Sequence, residues 1–207
     1  MKPNFIVCLA LGLAVPAFSN TIDLSTGTAT WTVVENNAYN NGATGTAQVV
    51  TPSDADYFSG WVPNDANSSW VAYDPNNCCD SGYGTYSTTF DLTGYDLSTV
   101  SLNGSWTVDD AGSIFLNGNL LGTLDDGYWT ALYPIGSIPT SDFNQGSNTL
   151  TIQITDSDNI LEGVRMEGSV SGDMSTVPEP SSFLLLMIVL ATVIGFVERR
   201  RRSVAHA

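Results

Sequence analysis

Val100-Ser101-Leu102-Asn103-Gly104-Ser105-Trp106-Thr107-Val108 alternates apolar and polar residues from end to end. In an extended chain Val100, Leu102, Gly104, Trp106 and Val108 share one face, and Ser101, Asn103, Ser105 and Thr107 share the other. Asn103-Gly104 is a turn-forming pair, yet the alternation runs straight through it. The run therefore reads as a strand, with the glycine placed where a neighbouring backbone packs closely.

The same period recurs to either side. Tyr86, Thr88, Phe90 and Leu92 repeat it, as do Leu150, Ile152 and Ile154, and then Val164, Met166 and Val170. Trp31 and Val33 mark the predicted first strand. Asn117-Gly118 is the strongest hairpin signal, because both positions of a two-residue turn need positive φ. A two-residue loop places Phe115 opposite Leu120 and Ile114 opposite Leu121, which predicts a hairpin covered on both faces. Asn36–Gly45 and Asn64–Gly84 are loop-like in composition, with short strands expected at Ala47–Thr51 and Tyr57–Trp61. Helical periodicity and internal repeats are absent from this region, so the expected fold is all-β, an antiparallel sandwich or barrel.

The chain ends have other compositions. Residues 1–19 read as a signal peptide, with Lys2, the apolar run Phe5–Val15 and the cleavage site Ala17-Phe18-Ser19; Cys8 is discarded with it. The expected order is then a sandwich over 20–172, a linker over 173–180, a transmembrane helix over 181–198 and a basic cytoplasmic tail over 199–207. Arginines following the span favour its cytoplasmic end. Lys2 and Arg199–Arg202 are five of the six basic residues, and Glu179 and Glu198 two of the 21 acids. What lies between them sets nineteen acids against Arg165 alone, a net charge near −18. Nucleic acid is excluded as a partner, since phosphate binding needs clustered lysine and arginine.

His206 is the only histidine and follows the arginine block, which excludes Ser-His-Asp and Cys-His catalysis in the domain. No catalytic residue is assigned. Cys78 and Cys79 are adjacent, and three states are open to them: a vicinal ring, a bond to another chain, or free thiols.

Val177-Pro178-Glu179-Pro180, the apolar run Phe183–Val197 and Arg199-Arg200-Arg201-Arg202 together resemble the PEP-CTERM sorting signal. The resemblance implies a precursor anchored in the inner membrane. Exosortase would cut it near Pro-Glu-Pro, and the product would reach the cell surface or extracellular matrix. A second resemblance, over about Trp70 to Gly172, is to the galactose-binding-like jelly roll. It rests on Gly-Thr-Tyr-Ser-Thr-Thr-Phe-Asp-Leu (84–92), Trp-Thr-Val-Asp-Asp (106–110) and Ile-Phe-Leu-Asn-Gly (114–118). Phe-x-x-Gly-x-Asn-x-Leu (143–150) and Gly-Val-Arg-Met-Glu-Gly (163–168) complete it. That resemblance implies a sugar-binding module, often with one structural calcium; no cofactor is required.

Candidate ligands for calcium are Asp109, Asp110, Asp156 and Asp158, with Asp54-x-Asp56 and Asp125-Asp126 as further oxygen-donor clusters. Equally, all of these read as solvated turn residues capping strand ends. Trp61, Trp70, Tyr73, Tyr83, Tyr128 and Trp129 lie in or beside loops and are either sugar platforms or core. The ligand-binding candidates are Trp70, Tyr128, Trp129 and Arg165. Adjacency turns one ring of Tyr128-Trp129 inward and the other outward if they lie on a strand. Arg165 is either a structural ion pair or a ligand contact. The expected function is non-catalytic binding of exopolysaccharide. The alternatives are an adhesive protein acting through protein contacts and a glycosidase built on paired carboxylates.

Overall fold

In the computed structural model, which describes residues 19–36, 42–76, 82–156, 161–175 and 182–204, the alternating run forms a strand over Ser101–Asp109. Its inward side chains Leu102, Trp106 and Val108 are buried, while Ser101 and Asn103 are exposed. A Cβ at Gly104 would sit 2.8 Å from the Glu167 carbonyl, so the close approach expected there is present.

In chain order the strands are β1 (Ser19–Asp23), β2 (Thr32–Glu35), β3 (Ala43–Thr46), β4 (Gln48–Val49), β5 (Val71–Ala72) and β6 (Gly82–Asp91). They continue with β7 (Ser101–Asp109), β8 (Ala111–Leu116), β9 (Asn119–Leu124), β10 (Tyr133–Pro134), β11 (Ser147–Asp156) and β12 (Gly163–Asp173). All pair antiparallel, in two sheets. The first runs β10-β7-β12-β5-β4, with β1 also beside β12; the second runs β3-β2-β6-β11-β8-β9. Leu102, Trp106, Val164, Met166 and Val170 of the first sheet share one core with Val33, Tyr86, Ile114, Leu150, Ile152 and Ile154 of the second. Each such side chain contributes roughly 1.5–3 kcal/mol of apolar burial. The domain is thus a β-sandwich, and the period-2 pattern is its cause.

Several expectations are corrected. The strand after Trp31 is preceded by β1, which pairs Ser19 with Asp173. Tyr57–Trp61 is a pair of turns, closed by Tyr57 N–H to the Asp54 carbonyl and Trp61 N–H to that of Phe58. β3 begins inside the first segment read as a loop, and β5 lies inside the second. The turn at Asn117 (φ 52°) and Gly118 (φ 84°) is as expected, and Phe115 pairs with Leu120. A bulge then sets Gly122, not Leu121, opposite Ile114. Nor is the hairpin covered on both faces: β9 is a sheet edge and Leu120 is 58% exposed.

The domain lies within one compact unit, Pro16–Ser175; a second unit holds helix α1 (Ser182–Val204). Met187 to Leu190, Val193, Ile194, Phe196 and Val197 of α1 are exposed. Among the described residues, no helix is long and apolar enough to cross a membrane. Residues 1–18 of the expected signal peptide (1–19), Cys78, Cys79, Asp158 and Val177–Pro180 lie outside the described residues, and Ser19 begins β1.

Candidate functional site: a polar groove on the first sheet

The outward residues of β7 and β12 floor a groove. Asn103 pairs with Ser169 and Ser105 with Glu167, and Asp23 of β1 faces Ser169 from the other side. Ser25 and Thr28 follow on one wall, Ala66 and Asn67 on another, and Leu132 on a third; the cavity measures about 690 Å³. That is within the range of roughly 300–1,000 Å³ usual for small-molecule sites. Its lining offers carboxylates, amides and hydroxyls in one place. Asn67 Nδ2 donates to Glu167 Oε1 at 3.1 Å. Burial opposes the charge of Asp23. Donation from the Thr28 hydroxyl at 2.5 Å and the Ser25 N–H at 3.0 Å outweighs it, holding the carboxyl below its ordinary value.

Arg165 builds the Asn67 wall from beneath. Its side chain is buried and pairs with Asp65 at 2.8 Å. Nε donates to Ser68 Oγ at 2.9 Å, and Nη1 to the carbonyls of Val62 and Pro63. Backbone donation from Asn67 and Ser68 keeps the Asp65 carboxyl low, with the Arg165 charge adding to this. Of the two roles open to Arg165, the structural ion pair is present. Its guanidinium faces the loop, not solvent.

Tyr128 and Trp129 sit in a 3₁₀ turn, Tyr128–Thr130, rather than on a strand. One ring still points out and one in. The Thr107 hydroxyl donates to the Tyr128 carbonyl at 2.6 Å, one step along the outer face of β7 from Ser105. Tyr128 is 40% exposed, with its ring edge-on to Tyr133 at 4.8 Å. Trp129 turns inward, edge-on to Phe58 at 6.1 Å, and its carbonyl accepts from the Val62 N–H. Trp70 is enclosed: it stacks on Trp61 at 4.1 Å and donates Nε1 to the Val62 carbonyl. None of the four ligand candidates lines the groove: Tyr128 is the exposed one, and Trp70 and Arg165 are buried.

Of the metal candidates, Asp158 lies outside the described residues. Asp109 is buried and accepts from the Trp61 indole at 2.6 Å; Asp110, joined to it by a cis peptide bond, is buried as well. Asp156 ends β11 opposite Gly82. Asp54 Oδ2 accepts from the Thr51 N–H and hydroxyl, the turn-capping role. Among the described residues no group of three His, Cys, Asp or Glu side chains is placed to hold a metal ion.

Sequence reasoning missed a buried carboxyl cluster. Glu35 and Asp56 are buried, and Tyr86 Oη donates to Glu162 Oε1 at 3.2 Å. Burial, followed by the neighbouring charge of Glu35, raises the Glu162 carboxyl to about 9. The signal was available: the alternation that buries Val33 also turns Glu35 inward. The groove residues were legible in part, since Asn103 and Ser105 are the polar half of the alternation that opened the reading.

No curated protein matches the chain in sequence. Among solved structures it is similar to an FMN-binding β-glucuronidase from Facaelibacterium prausnitzii L2-6, at 20% identity and TM-score 0.41, over 75% of this chain and 23% of that one. A Ruminococcus gnavus β-glucuronidase in complex with D-glucuronic acid gives 12% and 0.44, over 79% and 31%. An uncultured Clostridium sp. β-glucuronidase gives 13% and 0.43, over 81% and 31%. The chain spans less than a third of the length of each. The PEP-CTERM protein-sorting motif is found at residues 176–202, across the Pro-Glu-Pro run, the apolar segment and the four arginines.

Proposed function

We propose that this is an exported, non-catalytic protein of the cell surface or extracellular matrix, whose sandwich domain binds exopolysaccharide in the groove between Asp23, Asn67, Asn103 and Glu167. The observation that carries the reading is the lining: acceptors and donors matched to sugar hydroxyls converge in a cavity of about 690 Å³. The exposed Tyr128 follows one step along β7, where its carbonyl accepts from Thr107. The sorting motif supports delivery. In this reading the precursor is anchored in the inner membrane through its sorting motif, with Arg199–Arg202 on the cytoplasmic side, until exosortase cuts near Pro178-Glu179-Pro180.

Binding of the full chain, purified in detergent, to a panel of neutral, amine-bearing and acidic polysaccharides tests the binding half. Saturable binding that weakens in Tyr128→Ala is expected; no binding to any of them overturns it. A periplasm-active reporter fused ahead of Pro178 tests the delivery half, which fails if the reporter is active only in the cytosol.

A further inference from the structure

Asp23 belongs to two clefts at once. Beyond the groove, a second cavity of about 530 Å³ opens against the second sheet, lined by Thr30, Thr32, Ser87 and Thr89 and sharing Asp23 and Thr28 with the first. The two therefore meet over the Asp23–Thr28 hydrogen bond, one on each side of the turn that follows β1.

The charges at this junction are all of one sign. Asp23 lies directly across from Ser169 on β12, and Glu167 is two residues along the same strand. The two carboxylates are thus diagonal neighbours on one face, their backbones about 7–8 Å apart. Neither cavity is lined by a lysine or arginine. Arg165 is buried and committed to Asp65.

We infer that the saccharide accepted here is a chain bearing free, protonated amino groups, laid from the groove across Asp23 into the second cleft. This rests on the saccharide reading of the groove. An ammonium group between Asp23 and Glu167 gains charge-assisted hydrogen bonds, and the surplus of acids in the domain draws a cationic polymer in. A uronate would bring its own negative charge against both carboxylates with no cation to meet it. A neutral chain finds only the hydroxyls and amides.

The experiment compares three probes on the detergent-purified full chain at about pH 6, above the ordinary carboxylate range. They are a β-1,4-linked glucosamine oligomer, the same oligomer fully N-acetylated, and a polyuronate. The amine-bearing oligomer is expected to bind about tenfold more tightly than the acetylated one at low salt, with the difference shrinking as salt rises. Asp23→Asn with Glu167→Gln should abolish the preference. Glu167→Gln alone, which keeps an acceptor for Asn67, is expected to reduce it, and circular dichroism checks that both variants fold. Equal, salt-independent affinity for the first two probes, or tighter binding of the polyuronate, overturns this inference and leaves saccharide binding standing. If none of the three binds, and no neutral glucan does either, both readings fall.

Discussion

Arg165 Nη2 lies 2.8 Å from Asp65 Oδ2, and through that contact strand β12 holds the loop that walls the groove. The partners differ in setting: the Arg165 side chain is 1% exposed and that of Asp65 51%. Removing the arginine strands the Ser68 hydroxyl and the Val62 and Pro63 carbonyls. Arg165→Ala is expected to cost about 1–3 kcal/mol or more in urea unfolding, from those unpaired groups. Asp65→Asn leaves the buried guanidinium without its counter-charge and should cost stability as well. An unchanged urea midpoint in Asp65→Asn would contradict the pairing.

The acidity of Glu162 sets a pH dependence. Its carboxyl goes from an ordinary 4.5 to about 9 on folding, so at neutral pH the folded domain holds a proton that the unfolded chain has released. The resulting stabilisation is full below the unfolded value, declines as pH climbs, and is gone above the folded one. Urea midpoints should therefore fall between about pH 5 and 9, and Glu162→Gln should flatten the slope. Stability that rises through this window would refute the assignment.

Asn117 does more than supply a positive φ. Its Nδ2 donates to the Asp142 carbonyl and to Asn148 Oδ1, both at 2.8 Å, and its Oδ1 accepts from the Thr149 N–H at 2.9 Å. Asn117→Gly keeps the turn geometry and loses all three bonds. A loss of about 1–3 kcal/mol is expected, seen as a lower melting temperature. An unchanged melt would show that the backbone conformation alone matters at this position.

Tyr128 and Trp129 should separate binding from stability. Tyr128→Ala removes an open ring, and a fivefold to tenfold weaker saccharide affinity is expected, roughly 1 kcal/mol, with the melting temperature unchanged. Trp129→Ala opens the packing against Phe58 and should lower the melt. The reverse pattern would place the binding surface elsewhere.

The sandwich was legible because period-2 alternation is a local signal, and at Leu102, Trp106, Leu150, Ile152, Val164 and Met166 burial follows it. Loops were harder. Trp61 and Trp70 lie in polar, Gly- and Asp-rich sequence, yet stack on each other with Val50 and Ala72 as a satellite core. No local pattern announces a contact made between two loops. The groove likewise draws on β1, β7, β12 and three connections. Asp23 and Asn67 acquire their place only from strand pairing. The bulge in the Asn117-Gly118 hairpin went unseen for a related reason: turn chemistry fixes the first pair, Phe115 with Leu120, and says nothing of the rung beyond.

One consequence of the β1–β12 pairing is mechanical. From Glu167 to Ser171, β12 is bonded to β7 on one flank, and from Ser169 to Asp173 it is bonded to β1 on the other. On the binding reading proposed above, a polymer gripped at Glu167 would pull against the chain leaving at Asp173 through the covalent backbone of this one strand. The ladders to β7 and β1 would brace that strand without lying in the load path between the two points.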